Sequence, residues 1–568
     1  MRHYLPRLSL LSCVTAALAL SAPFLRADVK MPTLFGDHMV LQLGARLPVW
    51  GIADPGEKVT VSIANQNVQA TAGADGKWRV ELAPLTESAT PITMTVAGNN
   101  TLKFEDVLIG EVWFCSGQSN MLWTIHHTEQ PPFLASQPDD PQLRLFQVSQ
   151  KPGLEVSTDL SVGKWVLSTP ETADKFSAVG YYFGREMRTA HKRPVGMISS
   201  PVGGTRAEAW ANLESLKRDP SLKEFVDRYE AVRAAYPQAS AEYPGKQETY
   251  QKELALWRKE VGTTFDPHMK DRNAAAKEAK AAGQEPPPRP QPSRLQPKAP
   301  TPPWGGIDTP SCLFNGAIAP VIPYAIKGAL WYQGESNGQS GTTAEGYHAL
   351  LKALIGGWRD QWGQGEFPVL IAQLPKFIPG WNWPAIREGQ AMSSDIPNTG
   401  LATLIDIGDP LDVHCAGKID VAKRLALVAR HLAYGEDLIW SGPAYRSMKI
   451  EGAAIRLTFT PNGSGLTTGT APWIAAGAQP ISPATLQGFI IAGEDQNWVT
   501  ADAKIEGNTV VVSSPKVAHP AAVRYAWENC PDCNLYNKEG LAAGPFRTDH
   551  WFIPPPAPPE SATPTGKK

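Results

Sequence analysis

A series of short, wholly apolar runs, separated by helical patterns, constrains this chain more than any other feature. Val107–Cys115, Leu143–Val148, Val195–Ser200, Ile326–Tyr332, Val369–Leu374 and Leu401–Ile407 have the length and residue types of strands buried on both faces. Between them Phe176, Val179, Phe183 and Met187 recur at helical spacing, as do Leu350, Leu351, Leu354 and Trp358. Strand–helix alternation of this kind predicts an α/β fold with a central parallel sheet, whose functional groups gather at the carboxyl ends of the strands.

The flanks have a different texture. Residues 28–105 carry short alternating runs such as Lys58–Ile63 and Trp78–Leu82, separated by Asp54-Pro-Gly and Ala74-Asp-Gly turns. They are expected to form a small N-terminal β-sandwich. Residues 438–553 are again β-rich, with strand-like stretches at Val510–Ser513 and Ala522–Trp527. The core, expected over 106–437, is interrupted at 211–310 by a charged, helix-prone segment. A proline-dense stretch follows it, too rich in proline for a regular helix or central strand. The tail 554–568 is rich in Pro, Ser, Thr and Lys and is expected to be disordered.

Bulk properties exclude several classes of partner. The 568 residues carry a net charge of only −2, so electrostatics gives no reason to expect nucleic acid or an anionic membrane as partner. Arg2 and Arg7 precede an apolar stretch, Leu8–Ala22, that is too short to span a bilayer, and a small residue, Ala27, stands where cleavage would fall. Residues 1–27 therefore read as a signal peptide, and the protein is expected to be exported, periplasmic or extracellular. Five cysteines remain: 115, 312, 415, 530 and 533. An odd number is not a disulfide framework. Cys530 and Cys533 read as a local disulfide or as plain thiols, because no second ligand pair lies near enough in the chain for zinc. Neither a metal nor a cofactor is expected.

The stretch Phe114-Cys-Ser-Gly-Gln-Ser-Asn-Met raises the chemical question, because it sets Ser119 in a tight turn directly after an apolar strand. An alcohol is a poor nucleophile unless a base takes its proton, an acid orients that base, and N–H groups meet the developing oxyanion. Such partners are present at the ends of other strands. His414 lies in a polar loop with Asp412 two residues before it and Asp409 and Asp406 close by. Gly203-Gly204 follows the run Val195–Ser200 and lets backbone N–H groups approach a ligand. After Ile326–Tyr332, Gln333 offers a side-chain amide, while Glu335 and Asn337 are suited to fixing the loop.

The ordered motifs VWFCSGQSNM, GGTRAEAW, LFNGAIAP, WYQGESN and DIGDPLDVH, with LFGDHMVLQ near the start and VRYAWENCPDCNLYNKEGLAAGPFRTD near the end, resemble the sialate O-acetylesterase family within the SGNH hydrolases. The resemblance implies a flavodoxin-like core that removes acetyl groups from sugars. By position it makes Ser119 the nucleophile, His414 the base and Asp412 its orienting acid, with Asp409 as rival, since the spacing here is Asp-x-His where the wider group has Asp-x-x-His. It implies an oxyanion hole of Ser119, Gly204 and Gln333, the glutamine standing where the wider group has asparagine. The substrate expected is an acetylated carbohydrate: sialic acid first, or a plant polysaccharide such as xyloglucan, xylan or pectin. The rival of another class is a carbohydrate-binding protein without catalysis. Trp123, Trp210, Trp381 and Trp383 are candidates for stacking on sugar rings, with core packing as the alternative.

Overall fold

The computed structural model describes residues 28–128, 138–281, 287–288, 290–292, 294–378, 382–460, 463–469 and 485–552. The expected signal peptide, the tail, part of the proline-dense stretch and Trp381 lie outside the described residues.

At the centre is a sheet whose strands run, from one edge, Thr399–Ala402, Val369–Ala372, Gly328–Tyr332, Thr101–Gly117, Val195–Pro201, Asp140–Gln147 and Trp165–Ser168. Neighbours along this path pair in parallel except the last two, which are antiparallel. Period-two alternation sends Trp113 and Cys115 to one face and Phe114 to the other. On the first face they meet Val179, Phe183 and Met187 of the helix Ala178–His191 and Val421, Leu425 and Val428 of the helix Lys418–Tyr434. On the second they meet Leu350, Leu351, Leu354 and Trp358 of the helix Ala344–Trp362. Each such aliphatic or aromatic side chain contributes about 1.5–3 kcal/mol by leaving water. Two of these helices, Ala178–His191 and Ala344–Trp362, carry side-chain caps at their starts. Ser177 accepts from the Gly180 N–H, Thr343 accepts from the Gly346 N–H, and Gly363 closes the second helix in the left-handed conformation.

The strand Thr101–Gly117 spans the expected boundary at 105/106 without a break. Its first half pairs antiparallel with Ser88–Ala97, and its second half pairs in parallel with Val195–Pro201 and Gly328–Tyr332. Between the halves Asp106 takes φ +54°. Its carboxylate accepts two bonds from Arg144, at 2.7 and 3.0 Å, and lies 2.6 Å from His38 Nδ1. The change of texture at Val107 is thus a change from one buried face to two along a single strand. The strands Leu47–Ile52 and Lys77–Leu82 form a second layer beside this end of the sheet.

The run Leu401–Ile407 leaves the sheet earlier than its composition suggests, since the strand ends at Ala402. Leu404 goes to the core under the helices, while Ile405 goes to a separate core formed by the C-terminal strands. Asp406 then turns inward onto Arg424, with bonds of 2.6 and 2.7 Å, and accepts the Tyr536 hydroxyl at 3.1 Å. Among the described residues the C-terminal strands form two four-stranded sheets and one two-stranded sheet. They dock on the core through ties such as Arg387 Nη1 to the Glu528 carbonyl and Arg547 to Glu388. The segment 211–310 supplies the helices Leu213–Arg218, Lys223–Trp257 and Thr263–Ala281.

Burial opposes ionisation of Asp406, but the Arg424 charge and its two hydrogen bonds outweigh it and hold the carboxyl below its ordinary value. A depressed carboxyl stabilises the fold above its unfolded pKa, and that contribution is lost as pH falls. Arg424→Met should therefore cost about 3–5 kcal/mol at neutral pH by leaving Asp406 buried and unpaired. The loss, read as the shift in urea midpoint, should shrink as pH is lowered through the carboxylate range.

Candidate active site

The register of the parallel strands builds the site. Gly117 lies opposite Tyr332 on one side and Pro201 on the other. The three following segments, Gln118–Ser119, Val202–Gly203 and Gln333–Gly334, therefore leave the sheet at one level. Gly117 has φ +136°, and a Cβ there would collide with the Tyr332 carbonyl, which explains the glycine two residues before the serine. The Gln118 N–H donates to that same carbonyl at 2.9 Å. The Gln118 side-chain oxygen accepts from Gln333 Nε2 at 3.2 Å and the Ser336 N–H at 3.2 Å.

Ser119 opens a single turn of helix, Ser119–Leu122. Gly203 lies over it, close enough that a Cβ at 203 would stand 3.6 Å from the Ser119 Cβ. Gly204 takes φ +70°. Among the described residues no protein acceptor meets the N–H of Ser119 or of Gly204, so both are available to an oxygen placed above the serine. Behind the turn, Ser177 Oγ donates to the Met121 carbonyl at 2.6 Å and ties it to the helix Ala178–His191.

His414 arrives from the loop after the strand Thr399–Ala402. Its imidazole stacks on Trp123, with centroids 4.5 Å apart and planes at 21°. The Trp123 N–H donates to the Ser119 carbonyl at 2.9 Å, so the ring lies one helical turn from the serine. Asp412 Oδ1 accepts the His414 backbone N–H at 2.9 Å and lies 3.4 Å from Nδ1. Asp409 instead accepts the backbone N–H groups of Leu411 and Asp412 at 2.8 and 3.3 Å, which shapes the loop. Among the described residues no hydrogen bond joins the Ser119 hydroxyl to the imidazole. Such contacts are commonly long before substrate binds.

Gln333 does not occupy the place expected of it. It is fully buried, and its Nε2 donates to the Thr205 carbonyl at 3.0 Å, Asn337 Oδ1 at 2.8 Å and Gln118 Oε1 at 3.2 Å. An amide has two hydrogens, and both are committed to protein acceptors. Gln333 therefore braces three loops and has no hydrogen left for an oxyanion. Asn337 joins that brace by accepting the Ala207 N–H at 2.9 Å and donating to Glu208 Oε2 at 3.1 Å.

Sequence reasoning assigned no role to two residues of the site, Asn120, which lies in a recognised motif, and Lys418. Asn120 Nδ2 donates to Glu335 Oε1 at 2.5 Å and to the Val413 carbonyl at 3.0 Å. Lys418 Nζ donates to Asn120 Oδ1 at 2.5 Å. Asn120 thus ties the serine's turn to the backbone immediately before His414. Its position next to Ser119 was the available signal. Burial raises the Glu335 carboxyl above its ordinary value, and burial lowers the Lys418 amine to about 8. Of the tryptophans, Trp123 faces the site, whereas Trp210 and Trp383 are core residues. Cys530 and Cys533 are free thiols, and burial raises that of Cys533 to about 11. Among the described residues no group of three or more His, Cys, Asp or Glu side chains is placed to hold a metal ion, and no helix is long and apolar enough to cross a membrane.

The parallel sheet with helices on both faces and a serine turn at its centre is the SGNH-type core that the motifs imply, and the likeness to a carbohydrate acetylesterase structure supports that class. Residues 316–430 match the family model described as carbohydrate esterase, sialic acid-specific acetylesterase. The chain is similar to rat sialate O-acetylesterase, 26% identical over 91% of this chain and 94% of the rat protein. The human sialate O-acetylesterase is 27% identical over 73% of each. A crystal structure of a carbohydrate acetylesterase from Xanthomonas citri superposes with a TM-score of 0.72 at 32% identity, covering 92% of this chain and all of that one. The chain belongs to this family of carbohydrate acetylesterases.

Two glycines of the site are expected to behave differently. Gly117→Ala meets backbone and a disallowed φ, so it should destabilise by at least about 1–3 kcal/mol. Gly204→Ala has open space within 4 Å of its Cβ and carries only the left-handed penalty, of about 1–2 kcal/mol. Thermal melts of the two variants check the order.

Proposed function

We propose that the protein is an exported serine carbohydrate O-acetylesterase that acts through an acetyl-serine intermediate. His414 takes the Ser119 proton as Oγ attacks the acetyl carbonyl carbon. The carbonyl oxygen becomes an oxyanion held by the N–H groups of Ser119 and Gly204. As the bond to the sugar oxygen breaks, the imidazolium gives its proton to that oxygen. Water, deprotonated by His414, then attacks the acetyl-serine, releases acetate and restores the hydroxyl. Asp412 orients the imidazole, and Asp409 shapes its loop. One positioned base is worth roughly 10²–10⁴-fold and one oxyanion donor about 10²–10³-fold.

The observation that carries this reading is the convergence of two distant segments, with Asn120 bonded to the Val413 carbonyl and Trp123 stacked on His414. A carbohydrate-binding protein has no need of a nucleophile, a base and free N–H donors at one point. The apolar leader at Leu8–Ala22 supports export. The β-rich segments 28–105 and 438–553 are proposed to flank the catalytic segment as accessory domains.

The similarity to sialate O-acetylesterases supports a 9-O-acetylated sialic acid as substrate. One feature favours a second reading, a neutral acetylated polysaccharide. A polar cleft of about 640 Å³ lies along the loop that follows Gly204 and is lined by Arg206, Glu208, Arg228, Ser340 and Thr342 among others. Arg228 bonds Glu208 at 2.7 Å, and Arg206 lies 3.9 Å from Asp308. Both guanidinium groups thus already face carboxylates, which weakens their pull on a sugar carboxylate.

Ser119→Ala should abolish turnover of an aryl acetate with the circular dichroism spectrum unchanged, and a serine-directed phosphonate should label Ser119 in mass spectra. Near-normal turnover by this variant sinks the nucleophile assignment. Asp412→Asn should lower kcat by roughly 10²–10⁴-fold, whereas Asp409→Asn should act mainly on stability. The reverse pattern exchanges their roles. Acetate release from acetylated xyloglucan against 9-O-acetyl sialic acid decides the sugar.

A further inference from the structure

Beneath the serine turn lie three polar side chains that the reaction as written does not use. Asn120, Lys418 and Glu335 are 0%, 1% and 2% exposed. Lys418 is the first residue of the helix Lys418–Tyr434, and Glu335 begins the short helix Glu335–Gln339. Lys418 donates to Asn120 Oδ1, while the amide nitrogen of Asn120 serves Glu335 and the Val413 carbonyl. Among the described residues no ion pair joins Lys418 to a carboxylate. Its Nζ lies instead against the rings of Tyr332, at 5.1 Å, and Trp123, at 5.8 Å.

Stability alone does not explain a lysine in this place. An apolar side chain of similar length would fill the space without desolvating a charge. The amine has a directional effect instead. An ammonium only donates, so the oxygen of the Asn120 amide must face it and the nitrogen must face Glu335 and Val413. A neutral amine both donates and accepts, so it no longer demands the amide oxygen, and the amide is then held only through its nitrogen by Glu335 and Val413.

We propose that Lys418, as the ammonium, is a positioning residue of the reaction: it fixes the Asn120 amide, which holds the Ser119 turn against the backbone that carries His414. The proposal rests on the Ser119–His414 reading above. It makes activity depend on the protonation of a group that touches neither substrate nor reacting atoms.

The direction of the pH dependence follows from the surroundings. Burial lowers the Lys418 amine from 10.5 to about 8, opposed by Cys415, Glu335 and Asp412. The other groups packed around the cluster are Tyr332 from the central sheet, His414 from the loop, and Asn120 and Trp123 from the serine turn. Between about 8 and 10.5 the unfolded chain holds a proton that the folded chain has released. Stability from this group therefore rises with pH across that window, while activity falls.

The test is the pH profile of kcat and kcat/KM for an aryl acetate, with thermal melts, in the wild type, Lys418→Met and Lys418→Arg. The wild type should show an alkaline limb centred near 8. Lys418→Met should lose about 10²-fold in kcat and lack the limb, and its melting point should fall because the buried Asn120 oxygen loses its donor. Lys418→Arg, whose charge does not titrate in this range, should keep at pH 9 the activity it has at pH 7. The proposal is overturned if Lys418→Met keeps the wild-type rate, or loses rate but keeps the limb, which would make the lysine a space-filling residue. If Lys418→Met does not fold, the presence or absence of the limb in Lys418→Arg decides. An active Ser119→Ala enzyme would refute the underlying reading separately, whatever the lysine variants do.

Discussion

Gly117 stands level with Tyr332 and Pro201 across two parallel ladders, and much of the chemistry depends on that alignment. Parallel hydrogen bonding fixes the relative height of neighbouring strands, so three loops distant in sequence begin at one plane without further adjustment. The glycine is required because the turn that follows presses against the next strand's carbonyl. Gln118 and Gln333 then lock the loops together with their side-chain amides. The serine is presented by a frame whose geometry is set mainly in the backbone.

The fourth loop, which carries His414, lies outside this ladder alignment, because its strand Thr399–Ala402 lies at the sheet edge. It is joined to the others by side chains instead. Asn120 takes the Val413 carbonyl and Trp123 takes the imidazole face. Farther back, Asp406 anchors the root of the loop to Arg424 and to the C-terminal strands through Tyr536. The site thus combines a stiff half built on the sheet with a half held by a few polar contacts, and buried charges lie in both.

What the sequence revealed and what it hid follow the same division. Apolar runs announce parallel strands because burial on both faces removes every polar position, and most of those runs became strands close to their expected limits. Leu401–Ile407 did not, since its apolar residues serve two cores and pattern alone cannot divide them. Ser119, Gly203 and His414 were legible as special residues at strand ends, and the fold brings their segments together. Gln333 was misjudged because a glutamine at a strand end looks the same whether its amide faces a ligand or another loop. Lys418 and Asn120 were hidden for a similar reason: their partnership exists only across 298 positions of chain.

One strand, Thr101–Gly117, belongs to both the N-terminal sheet and the catalytic sheet. Evolution can shuffle a module freely only where the chain between modules is slack. Here recombination at residue 105 or 106 would sever a hydrogen-bonded ribbon and strand its amides on two raw ends. The N-terminal segment is therefore tied to the serine it precedes by one unbroken strand, as a buttress rather than a detachable cassette.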